Sequence, residues 1–398
     1  MTSQVAVMNL KGIAIASDTV VTLSAGSKTM GNTPKIYEIG AAHKVLVMHS
    51  GATEINDSPV ALYISEWGRT IPTALPALQD YVESFTKWIS RESNIHQKGS
   101  EVGIMTSVLQ EHFKWVQGKC RTFLSNSEIS ETESERAFKK RIQDGLKSKI
   151  QEGLDFLNRQ PAIKGLSEST AQKYLDESNY DLDQWVDYYF GDMDLSSVNR
   201  ELMKSSASLS LMKWQSLDSD STLAFVGFGA EEPYVGTIKV TCRGIYAGGL
   251  RSNVDERFGV ATDDKTGIVH FAQGDAISAF LRGYNWRISD KLNELFGSKM
   301  REEFHVENAE DSISKIINEV EDALAEFSHD EFVSPMLSTI NAMSLHSLGE
   351  FAESLVGLQA TATYAKSGPA TVGGLIEVAT IDRTSGVRWI KALDSRLT

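Results

Sequence analysis

The chain has 398 residues, which is enough for one large domain with an insertion or for two domains. Hydrophobic residues make up 41% and charged residues 23%, a composition typical of globular proteins that argues against disorder. The net charge of -14 at pH 7 excludes nucleic acid as an expected partner, because phosphate binding requires a basic surface.

The sequence also argues against a membrane protein and against a metal-binding protein. No apolar run approaches the roughly 18–20 residues of a membrane span, and the N-terminus lacks the regions of a signal peptide. We therefore expect a cytoplasmic protein without a membrane partner. Cys120 and Cys242 form no C-x-x-C pair, and no two histidines show H-x-x-x-H spacing. The sequence predicts neither a metal site nor a cofactor.

The first fifty residues are predicted to form strands, followed by helices. Four segments rich in β-branched residues predict strands: SQVAVMNL, GIAIASD, KIYEI and HKVLVMHS. The first two flank a turn at Lys11-Gly12. After Ser50-Gly51, apolar residues recur at helical spacing and predict two helices, within about 60–67 and 75–88.

From about 94 to 215 the chain is polar, charged and predicted to be helical. Strand patterns return after residue 220, helical patterns follow, and two strands around a turn at 383–386 end the chain. We interpret 94–215 as a helical insertion in a core formed by 1–93 and 216–398, because neither strand-rich half has enough sheet partners alone. Strands and helices in separate runs favour an α+β fold, with helices outside antiparallel sheets.

The N-terminus carries residue types suited to nucleophilic catalysis. A threonine hydroxyl is a weak nucleophile unless a base removes its proton, and a free α-amine on the same residue can be that base, with an ordinary pKa of about 8. Such an amine needs a nearby cation that lowers its pKa, and a carboxylate that holds the cation. The predicted hairpin brings Asp18 back beside Thr2, and Lys35 at the start of the next strand can reach the same place.

Six motifs occur in the same order as in a known superfamily. They are Thr2, Lys11-Gly12, Ala16-Ser17-Asp18, Thr22 through Gly26, Lys35-Ile36-Tyr37-Glu38-Ile39, and Ser50-Gly51-Ala52. In this pattern the chain resembles proteasome β subunits and the bacterial HslV-type peptidase, which are N-terminal-nucleophile hydrolases. The resemblance covers about 1–93 and 216–398, whereas 94–215 has no counterpart in the family.

The resemblance implies a four-layer αββα sandwich that hydrolyses peptide amide bonds as a threonine peptidase. Removal of Met1 is expected to expose Thr2, which then acts as nucleophile through its hydroxyl and as base through its amine. Lys35 is expected to tune the pKa of that amine, and Asp18 to pair with Lys35. The backbone N–H of Gly51 is expected to stabilise the oxyanion.

Substrate and partners follow from the same resemblance. The backbone of Thr22 is expected to hold an extended substrate as an added strand, and His49 and Thr53 to line the pocket for the residue before the scissile bond. The substrate is expected to be a peptide or an unfolded protein. The subunits are expected to form a homo-oligomer, as a ring or a helical stack, and an ATP-driven unfoldase is a partner that the resemblance allows.

The chain departs from the family where two serines and an aspartate normally support the threonine amine. Gln273 occupies the place of one serine, and Pro369 and Val372 replace the aspartate and serine of the family's D-x-x-S-G-G. Ser367 and Thr371 lie close enough in sequence to substitute for them. Two alternatives therefore remain open, a catalytically silent scaffold or partner-binding subunit and an amidase that acts on a non-peptide amide.

Overall fold

The computed structural model describes residues 2–23, 28–30, 33–91, 95, 99–127, 133–177, 180–217, 220–260, 265–304, 310–366 and 371–393. Within these ranges there are fourteen strands. Their bounds are β1 Ser3–Asn9, β2 Gly12–Asp18, β3 Val21–Leu23, β4 Lys28–Met30, β5 Ile36–Glu38, β6 Lys44–Gly51, β7 Glu54–Ile55, β8 Ser58–Pro59, β9 Ser221–Phe228, β10 Gly236–Tyr246, β11 Gly249–Gly259, β12 Thr266–Ala272, β13 Ile376–Asp382 and β14 Gly386–Lys391.

The same ranges contain twelve α-helices. They are α1 Val60–Thr70, α2 Leu78–Ile89, α3 Ser100–Ser125, α4 Glu135–Arg159, α5 Glu168–Glu177, α6 Leu182–Phe190, α7 Ser197–Ser210, α8 Asp275–Arg282, α9 Trp286–Phe304, α10 Glu310–Ser328, α11 Ser334–Ala342 and α12 Leu345–Tyr364. A π-helical turn at His329–Val333 joins α10 to α11.

Ten of the strands form two five-stranded antiparallel sheets. The first sheet has the order β12-β1-β2-β13-β14, and the second has the order β11-β10-β9-β6-β5. Strands β1 and β2 are buried along their whole length, which explains why they read as nearly continuous apolar runs. The α+β class with antiparallel sheets, predicted from the sequence, is confirmed.

Apolar side chains form separate clusters on the two faces of these sheets. Met8 and Leu46 belong to a cluster that contains residues of both sheets. Trp67 on α1 belongs to a second cluster, which lies between the second sheet and helices α1 and α2. Leu348 on α12 belongs to a third, which lies between the first sheet and helices α8, α11 and α12. Each sheet therefore buries both of its faces.

Helices α3 to α7 bury their apolar faces mainly against one another. Phe113 on α3, Leu146 on α4 and Met203 on α7 are fully buried in one cluster of this helical segment. Tyr246 of β10 belongs to the same cluster and therefore links these helices to the second sheet. Helix α4 ends at Arg159, two residues before Pro161, which cannot continue a helix without loss of a backbone hydrogen bond.

Two segments differ from their predictions. Residues 249–259 form β11, which sequence patterns did not predict, because this edge strand exposes charged residues instead of alternating them with apolar ones. Lys28–Met30, for which sequence patterns predicted no strand, form β4 and pair with β3. No helix in the described part of the chain is long and apolar enough to cross a membrane.

Candidate active site

The carboxylate of Asp18 is the centre of a hydrogen-bond cluster at the end of β2. Its Oδ1 accepts from the backbone N–H of Ser3 at 3.0 Å and from the Lys35 ammonium at 2.9 Å. Its Oδ2 accepts from the backbone N–H groups of Val20 at 3.3 Å and Gly373 at 3.2 Å. Asp18 is fully buried, so these four donors stabilise its negative charge without water.

The ammonium group of Lys35 lies against this carboxylate and is itself buried. Its Nζ donates to Asp18 and to the carbonyl of Val20, the latter at 2.5 Å. Burial lowers the pKa of Lys35 below its ordinary value, although the nearby carboxylates of Asp18 and Glu377 oppose the shift. The site therefore contains a cation that is held in one position.

Thr2 lies at the start of β1, beside this ion pair. The carbonyl of Thr2 accepts from the backbone N–H of Gln273 at 2.8 Å, which fixes the strand end. The side chain of Gln4 donates to the carbonyl of His49 at 2.9 Å and thus faces the second sheet. Because side chains alternate along a strand, Thr2 is directed to that same side. Thr2 and Lys35 both line a cleft of about 690 Å³.

Gly51 ends β6 at the opposite side of the cleft, with a backbone that requires glycine. Its φ is +86°, and a Cβ at this position would lie 2.2 Å from the carbonyl oxygen of Asp220. The N–H of Ala52 donates to the carbonyl of Asp220, just before β9. The N–H of His49 donates to the carbonyl of Lys35, just before β5. Antiparallel alternation therefore directs the Gly51 N–H to the β5 side, beyond the end of that strand.

Of the three predicted substrate residues, His49 and Thr53 line the same cleft, whereas Thr22 is not among its lining residues. His49 lines the cleft, is buried, and donates through Nε2 to the carbonyl of Ala52 at 2.7 Å. Burial lowers the pKa of His49 to about 4, so the imidazole is neutral at pH 7. Thr53 is exposed and also lines the cleft. Thr22 lies in β3, where its backbone pairs with Thr29.

The far wall of the cleft comes from elements that sequence reasoning did not assign to the site. Helix α3 lines the cleft with Ser100, Gly103, Ile104 and Ser107, and β10 contributes Arg243. These helix positions follow the i, i+3, i+4, i+7 spacing of one helix face, which was visible in the sequence. Helical spacing identifies a face of the helix, but it does not indicate that this helix approaches Thr2.

Comparisons with known proteins give little support beyond this geometry. No protein-family model and no curated protein matches the chain. Among solved structures, it is similar to Anbu (ancestral beta-subunit) from Yersinia bercovieri, with 8% identity, a TM-score of 0.29, and 98% of this chain and 86% of that chain covered. It is also similar to the Anbu Gly-1 mutant from Hyphomicrobium sp. strain MC1, with 10% identity, a TM-score of 0.29, and coverages of 98% and 88%. TM-scores this low do not establish a shared fold.

Two buried polar atoms without partners occur at or next to the positions that depart from the family pattern. Gln273 Oε1 and Thr371 Oγ1 are buried and have no hydrogen-bond partner within the described ranges. Val372 is also buried and carries no polar side-chain atom. Met1, Ser367 and Pro369 lie outside the described residues.

Asp220 connects the Gly51 strand to the far wall of the cleft. It is buried, its Oδ2 accepts from the N–H of Leu217 at 2.8 Å, and its Oδ1 lies 3.8 Å from Nη1 of Arg243. The guanidinium of Arg243 also lies 2.6 Å from Oε1 of Glu111 on α3. Burial raises the pKa of Asp220 to about 6, although the Leu217 N–H and Arg243 oppose the shift.

This raised pKa predicts a specific pH dependence of stability. A carboxyl group whose pKa is higher in the folded state stabilises the fold when protonated, and this contribution is lost as the pH rises through about 6. Relative to an Asp220→Asn variant, the wild-type free energy of unfolding should fall by up to about 3 kcal/mol between pH 4 and pH 7. Urea unfolding of both proteins across this range measures the difference. Asp192 is exposed, so the difference in free energy of unfolding between wild type and Asp192→Asn should not fall in this way. A difference between wild type and Asp220→Asn that does not change with pH would contradict the prediction.

Proposed function

We propose that the protein is a threonine hydrolase that cleaves peptide amide bonds with Thr2 after removal of Met1. The observation that carries the proposal is Lys35, which lines the same cleft as Thr2 and Gly51 and pairs at 2.9 Å with the buried carboxylate of Asp18. A buried lysine that served only stability would not need to open onto a cleft that also contains a threonine. This arrangement matches the chemical needs of an N-terminal nucleophile.

In the proposed reaction, an ester forms on Thr2 and is then hydrolysed by water. The free amine of Thr2 takes the proton from Oγ1, and Oγ1 forms a bond to the substrate carbonyl carbon. The positive charge of Lys35 favours the neutral form of the amine at neutral pH, and Asp18 keeps Lys35 in place. The carbonyl oxygen becomes an oxyanion, to which the Gly51 N–H donates. The oxyanion collapses and the C–N bond breaks, so that the leaving amine takes the proton from the Thr2 ammonium and an ester remains on Oγ1. The Thr2 amine then takes a proton from water, which attacks the ester carbon. The C–Oγ1 bond breaks, Oγ1 takes this proton back, and Thr2 is restored.

The packing of the sheets supports a four-layer αββα arrangement for this proposed fold. The cluster containing Met8 and Leu46 combines residues of both sheets, while α1 and α2 cover one outer face and α12 covers the other. The separate cluster of helices α3 to α7 supports the proposal that 94–215 is an insertion in a core of 1–93 and 216–398.

We also propose that the protein functions as a homo-oligomer. Helices α8, α9 and α10 and the turn after them expose large apolar side chains, which in a monomer would face water. These exposed side chains are Phe280, Trp286, Ile288, Leu292, Leu295, Phe296, Ile316, Val320, Phe327 and Phe332. A second copy of the chain is the partner that the resemblance implies, and an unfoldase remains a further expectation from it.

A catalytically silent scaffold is the second candidate, and one observation favours it. Gln273 and Val372 stand where the family has serines, and the buried oxygen of Gln273 accepts no hydrogen bond from the described residues. Groups that only orient an amine usually affect rate without being required for chemistry, as is the case for supporting groups around metal ligands. The Lys35–Asp18 pair therefore weighs more heavily than these losses.

The proposal is tested by the N-terminus of the purified protein and by its reaction with a peptide epoxyketone. Intact mass should show loss of Met1, and the epoxyketone should add one equivalent to Thr2, since it reacts with both the hydroxyl and the amine of an N-terminal threonine. Thr2→Ala should give no adduct. Thr122→Ala, which removes an exposed hydroxyl on α3, should give the full adduct. Retained Met1 together with no adduct would mean that the protein is a scaffold, whereas an adduct without peptide turnover would favour a non-peptide amidase.

A further inference from the structure

The two cations that line the cleft are each neutralised by carboxylates. Lys35 pairs with Asp18 at 2.9 Å. Arg243 lies 2.6 Å from Glu111 and 3.8 Å from Asp220. His49 adds no positive charge at pH 7, because burial lowers its pKa to about 4. Neither cation therefore offers an excess of positive charge to a substrate.

Two carboxylates that line the cleft have no such neutralisation. Glu54 and Asp57 lie on the β7–β8 hairpin, and both side chains are exposed at the cleft. Neither forms an ion pair with a cation in the ranges that the structure describes. The uncompensated charge facing the cleft is therefore negative, at a site where charge selects substrates.

The hairpin that carries these carboxylates is held firmly in place. Asn56 and Asp57 form its turn with φ of 49° and 57°, the left-handed pair of a tight hairpin turn, which asparagine and aspartate tolerate. The buried side chain of Asn56 accepts from the N–H of Ile245 at 2.7 Å. It donates to the carbonyl of Ile245 at 2.9 Å and to Ser100 Oγ at 3.1 Å. The turn is thus joined to both β10 and the start of α3.

Helix α3 completes this part of the cleft with small and apolar side chains. Gly103 and Ile104 lie on the helix face towards the opening, between Ser100 and Ser107. A methylene chain packs well against such a wall, whereas its charged end requires a carboxylate or water. Lysine and arginine side chains combine these two properties.

We propose that the cleft selects peptides with lysine or arginine as the residue that donates the scissile carbonyl. The methylene groups of that side chain would pack along Ile104 of α3, and its cationic end would approach Glu54 and Asp57. This inference rests on the proposed function and names the substrate class of the same site. It also gives the 94–215 segment a role in specificity.

The inference is tested with three peptides that differ only at this residue, each with a fluorogenic leaving amine. Arginine is compared with citrulline, which has the same length and no charge, and with glutamate. The expected order of kcat/KM is arginine, citrulline, glutamate, with arginine about tenfold better than citrulline, since partly exposed charge pairs contribute modestly. The preference should weaken as salt is added.

Variants test whether the two carboxylates of the hairpin cause the preference for arginine. A Glu54→Gln/Asp57→Asn variant should bring the arginine-to-citrulline ratio close to one, and its epoxyketone adduct at Thr2 should persist. Glu83→Gln, an exposed carboxylate on α2, should leave the ratio unchanged. A wild-type ratio near one, with adduct formation intact, overturns this inference and leaves the proposed function standing. Absence of both turnover and adduct overturns the two together.

Discussion

Replacing Lys35 with methionine should reduce peptide hydrolysis by at least about 1,000-fold and also destabilise the fold. The ammonium of Lys35 is buried against Asp18, so its removal leaves the buried Asp18 carboxylate without the cation that pairs with it. Removing one member of a buried ion pair costs about 3–5 kcal/mol of folding free energy. The loss of rate follows because the Thr2 amine loses the charge that lowers its pKa, and proton transfer contributes about 100- to 10,000-fold in such reactions.

A double-variant cycle separates these two effects. Asp18→Asn/Lys35→Met removes both charges. This double variant should therefore lose clearly less free energy of unfolding than the two single variants lose in sum. Recovery should be incomplete, because asparagine has one acceptor oxygen, so either the N–H of Ser3 or those of Val20 and Gly373 lose their acceptor. Activity should stay lost in all three variants. Urea unfolding and peptide turnover, measured where every variant is folded, provide the two readouts.

The exposed pair of Glu66 and Arg69 on α1 is the matched control for this cycle. Their charged atoms are 2.7 Å apart, but both side chains face water. Glu66→Gln/Arg69→Met should change the free energy of unfolding by less than about 1 kcal/mol and leave turnover unaltered. If turnover returned in the double variant of Asp18 and Lys35, the pair would be structural and the proposed mechanism would be wrong.

The strands and helices that hold this site could largely be predicted from local patterns. Short apolar runs predict β1, β2, β5 and β6, and turn residues such as Gly12 mark where these strands begin or end. The proximity of Asp18 to Thr2 follows from the hairpin alone. The approach of Lys35 needed the resemblance to a family, because the segment between Asp18 and Lys35 has no simple periodicity.

The wall formed by α3 could not be predicted in this way. Its position depends on contacts between residues far apart in sequence, such as Ser100 with Asn56 and Glu111 with Arg243. Helical periodicity identifies which face of α3 is apolar but not which surface covers that face. The edge strand β11 was missed for a related reason, since its exposed charges hide the alternation that marks a half-buried strand.

Replacing Gly51 with alanine should affect both the fold and the rate, because the same backbone serves both. At a φ of +86° a side chain costs about 1–3 kcal/mol of strain. The new Cβ would also lie 2.2 Å from the carbonyl oxygen of Asp220, so β6 and β9 must separate locally, which adds about 1–3 kcal/mol. Displacement of the Gly51 N–H from the oxyanion position should lower kcat by about 100- to 1,000-fold.

Gly165 provides the matched control for this substitution, since it has nearly the same φ without the crowding. Its φ is +89°, and a Cβ there would meet no atom within 4 Å. Gly165→Ala should therefore carry only the strain of a left-handed backbone and leave kcat unchanged. Thermal unfolding and turnover of the two variants separate strain from displacement. Full activity in Gly51→Ala would show that this N–H does not stabilise the oxyanion. Equal losses of stability in the two variants would show that the Cβ at position 51 causes no displacement.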